Sequence, residues 1–194
     1  MNQDTSFPRL VSLACHDLRT PLATVHGFAR TLSRRTELAP PADRYMEMIE
    51  AAAGQLAELL DELSLVARIE SGRYDPNLRE ADTLELARAA AEQLGEDRVR
   101  VDGTGAQVRV DLEATERGIA ALVQAALRHG GLEQVDVHVE GPQLRVGPIT
   151  ASSGAVVLGT DLRDLGAAVA VRLIERLGGE LSLDGDELRV RLPA

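Results

Sequence analysis

The chain has no lysine and no tryptophan: all 21 of its basic residues are arginine. Without lysine there is neither a Schiff-base nucleophile nor the phosphate-gripping lysine of a P-loop. Aromatic residues make up only 2% of the 194 positions, so a stacking platform for nucleic-acid bases is missing. The lone cysteine, Cys15, excludes an internal disulfide and a Cys-rich metal site, and it suits a reducing compartment. No apolar run approaches the roughly 18 residues of a membrane span, and the first ten residues lack the basic-then-apolar pattern of a signal peptide. A formal charge of -10 opposes a polyanionic partner. The expectation is a cytoplasmic protein that engages neither nucleic acid nor membrane.

What is present is a Leu, Val, Ile and Ala-rich chain, 44% hydrophobic, long enough to bury a core. Residues 4–35 predict a helix, with Asp4, Thr5 and Ser6 as N-cap oxygens and Pro8 in the first turn. Phe7, Val11, Ala14, Leu18, Pro21, Val25, Phe28 and Leu32 follow the alternating four-three rhythm of a bundle seam, which Leu22 widens. A break at residues 37–41 precedes a second helix over 43–69. There Tyr45, Ile49, Ala52, Leu56, Leu59, Leu63 and Val66 keep the same rhythm. Two such helices make an antiparallel hairpin, and one hairpin cannot bury both seams by itself. A second copy completing a four-helix bundle is the economical solution, so a homodimer is expected.

A turn-rich linker at residues 71–77 separates this hairpin, residues 1–72, from a second domain, residues 77–194. The later pattern predicts helices at 83–94, 112–128 and 162–177, and strands at 134–140, 144–147, 180–183 and 187–192. A hairpin of strands 98–101 and 107–110 is expected around Gly103, Thr104 and Gly105. The fold class is therefore α+β: a helical hairpin followed by a small α/β sandwich.

His16 lies about 200° around the helix from Ala14, facing away from the stripe and into solvent. Thr20 follows one turn later on the same side, Arg19 flanks at the i+3 spacing that suits phosphate oxygens, and Asp17 is within reach of an imidazole nitrogen. Pro21 cannot donate to the carbonyl of Asp17, so the helix is expected to loosen beside His16. An exposed histidine alone is most often merely solvated; these neighbours are what raise it to a candidate.

The run His16, Asp17, Leu18, Arg19, Thr20, Pro21, Leu22 resembles the phosphoacceptor box of sensor histidine kinases, and its place on the first helix of a dimeric hairpin is similar too. The resemblance implies that His16 accepts and donates a phosphoryl group, that Asp17 is its base and hydrogen-bond partner, and that Thr20 orients water in dephosphorylation. It further implies that response regulator receiver domains, or a hybrid histidine kinase, dock near His16, Arg19 and Ala23. The second domain resembles the ATP-binding domain of those kinases with altered nucleotide contacts. Residues 120–130 are similar to the asparagine box, but Ala121 and Ala125 stand where asparagines belong, and the only asparagines are Asn2 and Asn77. Alanine offers Mg²⁺ no oxygen ligand. No acidic residue between Gly141 and Thr160 replaces the adenine-reading aspartate. Residues 163–171 resemble the glycine-rich phosphate loop, with Asp164 in place of the first glycine and Gly166 retained, and residues 177–181 match the sequence that follows it.

The resulting expectation is a histidine phosphotransferase of a two-component phosphorelay, with no cofactor of its own and Mg²⁺ supplied by the receiver-domain partner. A divergent autokinase, a non-catalytic adaptor and a receiver phosphatase working through Thr20 are the alternatives. Other features have plainer readings. Cys15 is a small packed residue, His26 is solvated, His129 favours its helix C-terminus by charge, and His138 sits on the polar side of a strand. The glycines at 103, 105, 130 and 131 are turns, and no His and carboxylate pair has metal-ligand spacing.

Overall fold

The computed structural model describes residues 6–35 and 42–193. The expected caps Asp4 and Thr5 and the break at 37–41 lie outside the described residues, as do the side chains of Ser6 and Phe7. The chain divides into two compact units, Met1–Tyr74 and Asp75–Ala194. Among the described residues, no helix is long and apolar enough to cross a membrane.

The first unit is a hairpin of α1 (Ser6–Arg35) and α2 (Ala42–Glu70), and α1 runs through Pro21 as one helix. Each helix carries two neighbouring seams of heptad spacing. The inner seam closes the hairpin: Ser12, Cys15, Leu22, His26 and Ala29 on α1 meet Ala53, Ala57, Leu60, Ser64 and Ala67 on α2, all buried or half-buried. Its residues are mostly small, which lets two helices approach closely. The outer seam is the one with the large apolar side chains, and it is the one whose rhythm the sequence makes obvious. Leu18, Val25, Phe28 and Leu32 on α1, with Tyr45, Ile49, Leu56 and Leu59 on α2, remain exposed in the single chain. His26 is thus half-buried in the inner seam, correcting the solvated position expected for it. Cys15, at 2% exposure, is the packed small residue that was expected.

The second unit contains β1 (Leu78–Asp82), α3 (Thr83–Leu94), β2 (Val99–Gly105), β3 (Gln107–Asp111), α4 (Leu112–Gly130), β4 (Val135–Gly141), β5 (Gln143–Gly147), α5 (Gly154–Val157), α6 (Leu165–Leu177), β6 (Glu180–Asp184) and β7 (Glu187–Arg191). A five-stranded sheet has the order β2-β4-β5-β7-β6, parallel between β2 and β4 and antiparallel elsewhere. Alternate strand residues such as Val137, Val139, Leu144, Val146, Leu188 and Val190 turn inward and join α3, α4 and α6 in one core. The intervening positions, Asp136, Glu140 and Arg191 among them, face solvent, as expected of a sheet covered on one side. His138 lies on that outer face, paired with Asp102 of the neighbouring strand.

The hairpin expected around Gly103 does not form. Residues 99–105 are one continuous strand beside β4, and β3 instead pairs antiparallel with β1, a strand just beyond the linker to which the sequence pattern assigned no element. Gly103 and Gly105 are strand residues, not turns. Gly103 has φ 111°, and a Cβ there would run into the backbone of Val139, so glycine marks a close backbone approach at this point. The turn reading does hold for Gly131, which is the left-handed cap of α4.

Candidate functional site

On α1, His16, Thr20 and Ala23 fall at spacings of four and three, on one face, and all three are exposed. The His16 side chain is 78% exposed. Its Nδ1 lies 3.2 Å from Oδ1 of Asp17. With Nδ1–H donating to that carboxylate, the second ring nitrogen, Nε2, carries the free lone pair. In that tautomer the ring presents an unprotonated nitrogen on an open helix surface. Thr20 offers its hydroxyl on the same face, and its backbone carbonyl accepts from Thr24 Oγ1 at 3.1 Å.

Arg19 has a partner that sequence reasoning missed. Its Nη2 donates to Oδ1 of Asp61 on α2 at 2.7 Å, which draws the guanidinium across the hairpin. The antiparallel register, once known, places residue 61 beside residue 19; the sequence alone offers no signal for that register. Below the site, Cys15 and Leu22 pack into the inner seam and fix the rotation of α1, so that His16 is held outward.

In the second unit the residues singled out around the expected nucleotide contacts are built differently. Ala125 is wholly buried in the hydrophobic core, and Ala121 is half-buried against it. Asp164 is the N-cap of α6: its Oδ1 accepts from Ala167 N at 3.1 Å. Its Oδ2 lies 3.0 Å from His129 Nε2 and 3.3 Å from Arg128 Nη1, both at the end of α4. The carboxylate is only 9% exposed. His129 therefore has a specific acidic partner, beyond the general helix-end preference expected for it. Sequence reasoning assigned Asp164 to the edge of a phosphate loop but did not foresee that it would cap its own helix. Among the described residues, no group of three or more His, Cys, Asp and Glu side chains is arranged to hold a metal ion.

Residues 9–72 match the model of the His Kinase A (phospho-acceptor) domain. The histidine protein kinase DivJ of Caulobacter vibrioides is 28% identical over 179 residues, spanning 88% of this chain and 28% of DivJ. The sensor protein KdpD of Mycobacterium tuberculosis is 32% identical over 132 residues, 62% of this chain and 15% of KdpD. The crystal structure of full-length ShkA in complex with AMPPNP superposes with a TM-score of 0.67 at 20% identity, covering 94% of this chain and 44% of ShkA. The hairpin thus matches the model of a histidine kinase phosphoacceptor domain, and the fold of the α/β unit resembles that of histidine kinase ATP-binding domains. The chain spans under a third of the length of these two curated relatives.

Proposed function

We propose that this protein is a histidine phosphotransferase of a two-component phosphorelay, carrying the phosphoryl group on His16. The observation that carries the reading is the exposed His16 imidazole, held by Asp17 through Nδ1 on a phosphoacceptor hairpin. In the forward step, Nε2 attacks the phosphorus of a receiver-domain aspartyl phosphate. The acyl P–O bond breaks, the aspartate leaves as a carboxylate, and phosphohistidine forms. The imidazole proton stays on Nδ1, where Asp17 accepts its hydrogen bond and steadies the charge that develops on the ring. A second receiver reverses these events. Mg²⁺ is supplied by the receiver, so this chain contributes no metal ligand of its own.

The docking face is the exposed stripe of His16, Thr20 and Ala23, with Arg19 beside it. The outer seam of large apolar residues pairs two copies into a four-helix bundle. Three features of the second unit support a role without nucleotide: the buried Ala125, the half-buried Ala121, and the Asp164 carboxylate seated on the N-terminus of α6. Phosphoryl transfer from ATP relies on metal and charge stabilisation that these positions do not offer. The competing reading, an ATP-dependent autokinase, is favoured by the kinase-like fold of that unit and by sequence likeness to DivJ and KdpD.

A paired labelling assay separates the two. The purified chain is incubated with radiolabelled ATP and Mg²⁺, and separately with a phosphorylated receiver domain. Label reaching His16 from the receiver alone, and lost in a folded His16→Ala variant, is the expected result. Label arriving from ATP in the absence of any receiver overturns the proposal in favour of the autokinase.

A further inference from the structure

Between α4 and α6 a single carboxylate meets several demands at once. Asp164 caps the first turn of α6 through Ala167 N and takes the imidazole of His129 and the guanidinium of Arg128 on its other oxygen. No other acidic residue stands in the first turn of α6, so this carboxylate is the charge that answers the helix dipole there. The segments on either side are tied into the same cluster. Ser152 Oγ donates to the His129 carbonyl at 2.8 Å, and Arg163 Nη2 donates to the Ser152 carbonyl at 3.2 Å. Arg163 also holds Asp161 at 2.7 Å, while the backbone amides of Thr160 and Asp161 both donate to Ala155 O at 3.0 Å.

These bonds make residues 158–164 a strap with both ends anchored: one end on α5, the other on Asp164. A carboxylate at 9% exposure, with both oxygens engaged, is costly to release, because opening leaves the largely buried His129 without its acidic partner. We infer that Asp164 is an internal anion that clasps residues 158–164 permanently against α4, so that this strap is set by the chain itself and not by any ligand. The groups that face it are Arg128 and His129 from α4 and Ala167 N from α6, with Arg163 and Asp161 completing the strap. The clasp stands whether or not His16 carries phosphate, and its test reads a different part of the molecule from the labelling assay.

Hydrogen exchange on the full chain, followed peptide by peptide, tests it. Asp164→Asn keeps a good N-cap oxygen but removes the charge that pairs with Arg128 and His129. Exchange within residues 158–164 is expected to rise at least about tenfold in this variant, with residues 42–70 unchanged. The Arg128→Gln, His129→Gln double variant, which leaves Asp164 in place, is expected to reproduce the effect. In the unaltered protein, adding Mg²⁺ and AMPPNP is expected to leave the strap's exchange as it was. Wild-type exchange in both variants overturns the clasp. So does protection of residues 158–164 that increases when the nucleotide analogue is added, and so does loss of protection spread evenly over the whole second unit in both variants.

Discussion

Arg19 and Asp61 join the two helices of the hairpin across its flank, Nη2 to Oδ1 at 2.7 Å, three residues along from His16. Both side chains are about half exposed, at 47% and 51%. An exposed pair of this kind contributes little to stability, about 0.5 kcal/mol, because water screens it and two long side chains lose freedom. Its effect is positional: the guanidinium is held over α2 while it stands free to meet phosphate oxygens only by leaving Asp61.

Two substitutions separate these roles. Arg19→Ala is expected to slow phosphoryl transfer to His16 about tenfold, a loss of roughly 1.4 kcal/mol in transition-state stabilisation. Asp61→Asn releases Arg19 and is expected to leave the transfer rate equal or higher. Each is expected to shift the urea midpoint only within the small range of an exposed pair. Single-turnover transfer from a phosphorylated receiver, read alongside urea denaturation, checks both. Equal slowing by the two variants means that Arg19 serves the hairpin and does not touch phosphate.

The outer seam makes a prediction about assembly. Phe28 is 67% exposed in the single chain, in line with Leu18, Val25 and Leu32 on α1. Burying a phenylalanine side chain contributes about 2 kcal/mol, and two-fold symmetry counts it twice. Phe28→Glu is therefore expected to weaken the dimer by about 4 kcal/mol, roughly a thousandfold in Kd. Sedimentation equilibrium measures this directly. Cys15→Ala, in the inner seam, is the control: it is expected to lower hairpin stability slightly while the dimer persists. A monomeric wild-type chain, or a Phe28→Glu variant that still dimerises, removes the outer seam as the dimer face.

The relation between these seams also shows what the sequence made legible. Large side chains at four-three spacing announced two helices and a hairpin, but the residues that close the hairpin are the small ones one position away. Cys15, Ala29, Ala53 and Ala67 carry weak apolar signals individually, and only the packed pair reveals that they form a seam. His16 was legible because its neighbours repeat a known chemical pattern, and its exposure followed from helical geometry. Asp61 and the cluster around Asp164 were not, since both are contacts between residues tens of positions apart, which no local periodicity encodes. The strand β2 was misjudged for a related reason. Gly103 looks like a turn until the backbone of Val139 is placed beside it, and parallel pairing with β4 depends on a crossover that sequence spacing alone leaves open.

Ala125 gives the sharpest test of the proposal that the second unit works without nucleotide. It is fully buried among Leu122, Val123 and Ala126 on α4, so Ala125→Asn places an amide with four hydrogen-bonding positions in an apolar core. The added volume and the unsatisfied polar atoms together are expected to cost about 3 kcal/mol. Ala121 is half-buried, where the same change has a route to solvent, and Ala121→Asn is expected to cost under about 1 kcal/mol. Urea denaturation of each variant measures the difference. Calorimetry with AMPPNP and Mg²⁺ is then expected to find no binding to Ala121→Asn, because the Asp164 carboxylate still occupies the N-terminus of α6 and repels phosphate there. Binding by Ala121→Asn, absent from the unaltered chain, means that the amide at this position, and not the capped helix, decides nucleotide binding; binding by both chains overturns the proposal that the unit works without nucleotide. A small loss of stability in Ala125→Asn means that the core yields there, and that an asparagine at this position finds partners the packing of α4 does not now provide.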